Sequence, residues 1–151
     1  MKLSRRSVLS AMFGTLALVA FNSAAYAGTA LMPMGMEMSG AMMDMATMGI
    51  TADTVEIPAG EFSFRVVNES QEFYHSMVIS PVFDATKELP YLIDKMIADE
   101  AAVGATARVK ELKPHDSGLV TVDIQPGTYI LYCNVAGHYV MGMWTMITVT
   151  A

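Results

Sequence analysis

Three residues near the carboxyl terminus have side chains that could bind one metal ion together. Cys133 is the only cysteine of the 151-residue chain, His138 follows five residues later, and Met143 follows after five more. Thiolate, imidazole and thioether groups are soft or intermediate ligands. A trigonal Cys and His set with a weak axial Met is typical of electron-transfer copper sites. The spacing Cys-x4-His-x4-Met therefore predicts a copper-binding loop that needs one more imidazole.

We predict that His75 supplies this imidazole. It lies far upstream of the loop, in the largely apolar run Phe73–Ile79. Ser76 follows directly, and we expect its backbone N–H to donate to the sulfur of Cys133. Such outer-shell hydrogen bonds orient ligands and tune the metal.

Two other residues have side chains that could bind a metal. Met141 could replace Met143 as the axial ligand, but Gly142 and the five-residue interval from His138 favour Met143. His115 lies in a turn signal and is expected to be an exposed residue outside the site. Taken singly, each candidate ligand also has an ordinary role in packing, so a metal-free β-sandwich is an alternative interpretation.

Short β-strands are the elements that must position these residues. Glu61–Val66 alternates apolar and polar residues, as half-buried strands do. Cys133 ends a largely apolar run that is predicted to be a central strand. About seven such runs, separated by turns such as Gln125-Pro126-Gly127, predict an all-β, Greek-key β-sandwich over residues 51–151.

One segment of this region has a different pattern. Between residues 85 and 104, Leu89, Leu92, Ile93, Met96 and Ile97 fall at helical spacing, with charged residues on the other faces. The pattern predicts a short helical insertion over about residues 88–103.

Residues 1–27 are typical of an export signal. Lys2, Arg5 and Arg6 give a positive start, a mostly apolar run follows to Phe21, and Ala25-Tyr26-Ala27 fits a cleavage site. The two adjacent arginines resemble a twin-arginine signal, although an ordinary Sec signal is equally compatible. If the signal is not cleaved, it would act as a membrane anchor. We therefore expect a periplasmic or other extracytoplasmic location.

Residues 28–50 form a methionine-rich arm. Eight of the 15 methionines lie between Met32 and Met48, and Pro33, Gly35 and Gly40 argue against a strand. The arm is either a flexible linker or a thioether cluster that binds additional Cu(I), since neutral sulfur selects the soft monovalent ion.

Charge and cysteine content narrow the possible functions. The chain has a net charge of −6, and removal of the three cations in residues 1–27 leaves −9. This balance argues against nucleic acid as a partner and favours a basic one. A single cysteine cannot form an internal disulfide, and metal ligation explains its presence in an oxidising compartment.

On these residues, the region 51–151 resembles the cupredoxins, the type 1 or blue copper proteins. Its loop spacing is most similar to that of the rusticyanin- and sulfocyanin-like members. The resemblance implies a Greek-key β-sandwich and one-electron transfer. It also implies that His75, Cys133 and His138 are the strong copper ligands and that Met143 is the axial one. The helical insertion and residues 28–50 lie outside the resemblance.

The leading hypothesis is therefore a non-enzymatic electron carrier with one type 1 copper. Its redox partner, a cytochrome, oxidase or reductase, would dock near His138. The alternative is a copper-handling protein, a chaperone or resistance factor, that uses the methionine-rich arm. An enzyme with further copper ions is the weakest hypothesis, because only one histidine is left to ligate them.

Overall fold

The computed structural model describes the backbone of residues 17–21, residue 45, and residues 48–151. Its strands are β1 Ala17–Phe21, β2 Thr51–Ala52, β3 Glu56–Pro58, β4 Gly60–Asn68, β5 His75–Pro81, β6 Tyr91–Leu92, β7 Ile97–Ala98, β8 Ala107–Leu112, β9 Ser117–Ile124, β10 Gly127–Tyr132 and β11 Trp144–Thr150. Within residues 48–151 the backbone forms no helix. No helix among the described residues is long and apolar enough to span a membrane.

The strands form two main sheets. One has the order β2-β1-β4-β9, and the other has the order β3-β11-β10-β5-β8, while β6 and β7 make a separate small hairpin. Side chains of both main sheets meet in one core cluster, with Phe64 and Val66 from β4 facing Ile79 and Leu131 from the larger sheet. The predicted all-β, cupredoxin-like sandwich is confirmed.

Burial along each strand follows from its place in the sandwich. In β4, Phe62, Phe64 and Val66 are buried, whereas Glu61 and Arg65, which alternate with them, are exposed. This strand has one face toward solvent, so its sequence alternates. The central strands β5 and β10 are buried on both faces, because residues 82–105 cover the outer face of the larger sheet. Each accordingly contains a run of consecutive apolar residues, 77–79 in β5 and 129–132 in β10.

The prediction of a helix over about residues 88–103 is wrong. The backbone there forms β6, a turn, β7 and a further series of turns. The apolar residues at helical spacing do not share a buried face: Ile93 is 83% exposed and Met96 is 52% exposed, whereas Ala98 and Val103 are buried. Helical periodicity in the sequence does not match the side of the segment that packs on the sheet.

The backbone hydrogen bonds of this segment explain the difference. The N–H of Asp99 donates to the carbonyl of Pro90 at 2.8 Å, which closes the small hairpin. Other backbone groups of the segment bond to the loop after β10. A helix would consume all these groups internally, so contacts with the rest of the fold override a weak local propensity.

The predicted export signal, residues 1–27, and methionine-rich arm, residues 28–50, lie mostly outside the described residues. Both stay predictions. Of the first region, the backbone of Ala17–Phe21 runs parallel to β4 and antiparallel to β2. Of the second, Met45 is exposed, and Met48 and Ile50 pack against the core cluster.

Candidate metal centre

Three donor atoms from distant parts of the sequence meet at one end of the sandwich. The Nδ1 atoms of His75 and His138 are 3.1 Å apart. The Sγ atom of Cys133 is 3.8 Å from the His75 Nδ1 and 3.5 Å from the His138 Nδ1. His75 and Cys133 are buried, and His138 is half-buried. The structure thus brings together the two histidines and the cysteine that the sequence predicted.

His75 is the first residue of β5, and this strand positions its side chain. It is opposite Leu112 at the end of β8, and the register between these strands shifts between His75 and Met77. A bulge of this kind re-aims side chains. His75, Ser76 and Met77 are all buried, as are the three residues that follow them in this doubly covered strand.

Ser76 makes the outer-shell contact that the sequence predicted. Its backbone N–H donates to the Sγ atom of Cys133 at 3.4 Å, which confirms the prediction. Ser76 is two residues beyond Val78, whose pair with Tyr132 is the last of the β5–β10 ladder. In a longer ladder the Ser76 N–H would donate to a backbone carbonyl of the neighbouring strand. Here it donates to the sulfur instead.

Cys133 and Met143 are opposite each other across the β10–β11 pair. The last regular pair is Tyr132 with Trp144, and the Cys133 N–H donates to the Met143 carbonyl at 3.0 Å, which extends the ladder by one pair. Directly opposed residues in an antiparallel pair have their side chains on the same face, with Cβ atoms about 4.5–5.5 Å apart. Met143 is 1% exposed and belongs to the same core cluster as Cys133.

The loop between these two residues is a closed set of turns. The N–H of His138 donates to the Val135 carbonyl at 3.0 Å, and the N–H of Met143 donates to the His138 carbonyl at 3.1 Å. Gly137 and Gly142 have φ of 84° and 91°, a region that residues with a side chain rarely adopt. The turns present the His138 ring toward His75, with ring centroids 5.0 Å apart.

Burial changes the protonation of the donor groups. It raises the pKa of the Cys133 thiol, although the Ser76 N–H opposes this. Burial also lowers the pKa of His138, against the opposing effect of the Glu111 carboxylate. The neutral imidazole is therefore favoured, as metal ligation requires. A cation that binds the thiol must displace its proton, so metal affinity falls as the pH falls.

The donor set fits a copper ion. Bonds from protein nitrogen and sulfur to a first-row metal are about 2.0–2.3 Å, so donors around one ion are separated by about 3–4 Å. The three measured separations of 3.1, 3.5 and 3.8 Å lie in this range. Two imidazoles, one thiolate and a buried thioether are the ligand types of a type 1 copper site. His75, Cys133, His138 and Met143 together form a site of this kind.

The other candidates from the sequence lie elsewhere. Met141 is 46% exposed, in contrast to the buried Met143. His115 is in an exposed turn between β8 and β9, with φ of 64°. Asn134 was not predicted from the sequence, and its side chain bonds to residues 98 and 100. Its position directly after the cysteine was the available signal.

No protein-family profile and no curated protein sequence matches the chain. Solved structures do. Reduced auracyanin from the photosynthetic bacterium Roseiflexus castenholzii is 26% identical, with a TM-score of 0.51 over 67% of this chain and 88% of that chain. Auracyanin B is 25% identical, with a TM-score of 0.51 over 67% and 81%. Rusticyanin from Thiobacillus ferrooxidans is 19% identical, with a TM-score of 0.57 over 89% and 75%.

Auracyanin and rusticyanin are cupredoxins, and one rusticyanin structure is described as that of a copper protein. The likeness to rusticyanin, at 19% identity, shows a shared fold. The evidence for the metal comes from the donor atoms of this chain, which meet at the end of that fold.

Proposed function

We propose that this chain, a cupredoxin with one type 1 copper, is an electron carrier that accepts and donates one electron at a time. The observation that carries the proposal is the convergence of the Cys133 sulfur and the His75 and His138 nitrogens within 4.8 Å of one another. When bound, copper supplies a couple between Cu(I) and Cu(II). The four side chains are all supplied by the protein, so no coordination position is reserved for a substrate.

We assign His75, Cys133 and His138 as the strong ligands and Met143 as the axial ligand. The buried position of Met143 opposite Cys133 supports this choice over the exposed Met141. The Ser76 N–H withdraws electron density from the sulfur and so stabilises the reduced form. The loop and the sheet fix the donors, which keeps rearrangement between oxidation states small.

Electrons leave and enter through the ligand closest to solvent. His138 is half-buried, whereas His75 and Cys133 are buried. Exposed apolar side chains lie in the loop that carries it, Val140 and Met141, or adjoin a ligand in the sequence, Tyr74 and Trp144. We propose that a redox partner, such as a cytochrome, oxidase or reductase, docks here in a weak and transient complex. The negative charge of the chain favours a basic partner surface.

We further propose that the protein works outside the cytoplasm, in the periplasm or an equivalent compartment. The signal-like pattern of residues 1–27 and the single cysteine support this location. Copper ligation would protect the lone thiol there from oxidation.

The experiment that tests the proposal is titration of the purified protein with Cu(II). We expect one tightly bound copper per chain, an intense visible band from thiolate-to-copper charge transfer, and reversible bleaching by one electron equivalent. The measurements are metal analysis, absorption and electron paramagnetic resonance. A colourless complex, or one that does not cycle, would exclude the carrier function.

Copper handling is the second candidate, favoured by the methionine content of residues 32–48. Met48 and Met141 line one cavity of about 520 Å³ beside the loop, together with residues 49–51, 142 and 144. Several Cu(I) ions per chain, most of them lost on deletion of residues 31–47, would support this function. A ratio of one copper per chain that is unaffected by the deletion would support the carrier alone.

Replacement of the axial ligand is expected to change the reduction potential. Met143→Leu should leave copper bound and raise the potential by about 59 mV or more, a tenfold change for a one-electron couple, because a weak donor to Cu(II) is lost. The matched control is Met141→Leu, which should leave the potential unchanged in the same voltammetric measurement. If the potential is unchanged in Met143→Leu and shifts in Met141→Leu, the axial ligand is Met141.

A further inference from the structure

Residues 96–100, here called the bridging segment, bond to the loop that carries Cys133 and His138. The Ala98 N–H donates to the Oδ1 atom of Asn134 at 2.8 Å, and the Nδ2 atom of Asn134 donates to the Ala98 carbonyl at 3.1 Å. One side-chain amide thus makes both of the hydrogen bonds that a neighbouring strand would make. Ala98 is buried, so both of its bonded groups are shielded from water.

A carboxylate supports the orientation of this amide. The second N–H of Asn134 Nδ2 donates to the Oε1 atom of Glu100 at 2.8 Å, and Arg108 is 3.4 Å from the other carboxylate oxygen. If the amide were rotated by half a turn, its oxygen would face the carboxylate and its NH2 group would face the Ala98 N–H. Glu100 therefore reinforces the orientation of Asn134 that the N–H and carbonyl of Ala98 already require.

A second bond joins the bridging segment to the same loop. The Gly137 N–H donates to the Met96 carbonyl at 2.7 Å. Met96 presents this carbonyl from a left-handed backbone conformation, with φ of 56°, which is uncommon for a residue with a side chain. The bridging segment thus contacts the loop at residues 134 and 137, both between the cysteine and the loop histidine.

The first of these anchors continues to the donor atoms. The backbone N–H of Asn134 donates to the Ser76 Oγ atom at 3.1 Å, and the Ser76 N–H donates to the Cys133 sulfur. Asn134 therefore bonds to the strand of His75 through its backbone and to the bridging segment through its side chain. Cys133 lies immediately before it in the sequence, so movement of Asn134 moves the sulfur.

We propose that the bridging segment is a positioning element, which holds the loop in its metal-binding conformation before the metal arrives. Asn134 and Glu100 are its positioning residues. The proposal rests on the copper site proposed above, but the bridge itself is independent of the metal. Its role is to hold in place the loop that carries His138. His75 begins β5, and Cys133 extends the pairing of β10 with β11 by one residue, whereas His138 lies within the loop itself.

The experiment compares four variants of the full chain. Asn134→Ala removes the side-chain bridge, and Glu100→Ala removes the carboxylate that supports the amide. Glu100→Gln keeps an oxygen that accepts the Asn134 N–H but removes the charge. Asp94→Ala is the matched control, since Asp94 is exposed in the turn just before the bridging segment.

The first readout is amide hydrogen exchange in the copper-free protein. We expect the Ala98 and Gly137 amides to be protected in the unmodified protein and in Asp94→Ala. Protection should fall by about tenfold or more in Asn134→Ala, and Glu100→Gln should be less affected than Glu100→Ala. Equal protection of the two amides in all four variants would overturn the proposal.

The second readout uses the copper-loaded protein. Asn134→Ala and Glu100→Ala should lose copper about ten to a hundred times faster to a chelator, the range for loss of an outer-shell partner. Their paramagnetic spectra should also shift. If the amides lose protection while copper loss and spectra stay unchanged, the bridge is structural only and the proposal is wrong. Absence of copper binding by the unmodified protein would instead exclude the carrier function, and the exchange data would still decide whether the bridge holds the loop.

Discussion

Cys133→Ser is expected to abolish the visible band and to weaken Cu(II) binding by more than about 100-fold. Loss of an outer-shell partner alone costs about 10–100-fold in affinity, and this substitution removes a strong ligand. A serine hydroxyl is not ionised at neutral pH and cannot replace the charge-transfer transition of a thiolate. The measurements are absorption spectroscopy and competition with a chelator of known affinity.

Thermal unfolding provides the control for this variant. Serine has almost the same shape as cysteine, so the copper-free variant should remain folded, with a modest cost for a hydroxyl in a buried position. Copper stabilises a protein only when it binds the folded state. The unmodified protein should therefore gain melting temperature with Cu(II), and Cys133→Ser should gain almost none. A variant that keeps the band would remove Cys133 from the site.

The ligand chemistry could be predicted from the sequence because it depends on residue type and spacing. Cys133, His138 and Met143 lie within eleven residues, and a short loop can bring them together without long-range information. His75 required one further step. Only its position in an apolar strand, together with the need for a second imidazole, pointed to it. The structure adds that β5 is the direct neighbour of β10, which places His75 beside Cys133.

The distinction between Met143 and Met141 depends on strand register, which the spacing alone does not determine. The pairing of β10 with β11 continues for one step beyond Tyr132 and Trp144, so Met143 is opposite Cys133. A shift of one residue would turn the methionine to the other face of the sheet. Gly142 in the sequence favoured Met143, the methionine that the structure buries, and the register gives the physical reason for its burial opposite Cys133.

The segment between β5 and β8 could not be predicted, because its conformation is determined by groups outside it. Its apolar residues occur at helical spacing, yet its backbone bonds to Asn134 and Gly137 of the loop. Those partners are more than 30 positions away in the sequence. A pattern read within one window cannot contain them, and local propensities of a few tenths of a kcal/mol per residue do not outweigh them.

His75→Ala is expected to give a copper site that responds to added imidazole. The buried ring of His75 occupies space at the start of β5, and its removal leaves a cavity next to the Cys133 sulfur. Free imidazole offers the same nitrogen donor and can occupy that cavity. Without imidazole, we expect weaker copper binding and a changed visible spectrum. With imidazole, the band of the unmodified protein should be restored in a saturable titration.

The matched control for this titration is His115→Asn. His115 is exposed in the turn between β8 and β9, and asparagine tolerates its left-handed backbone conformation. This variant should show the spectrum of the unmodified protein and no response to imidazole, because its lost ring contacts no donor atom of the site. If imidazole restores nothing in His75→Ala, or if His115→Asn responds in its place, then His75 is not a ligand and the proposed three-donor centre is wrong.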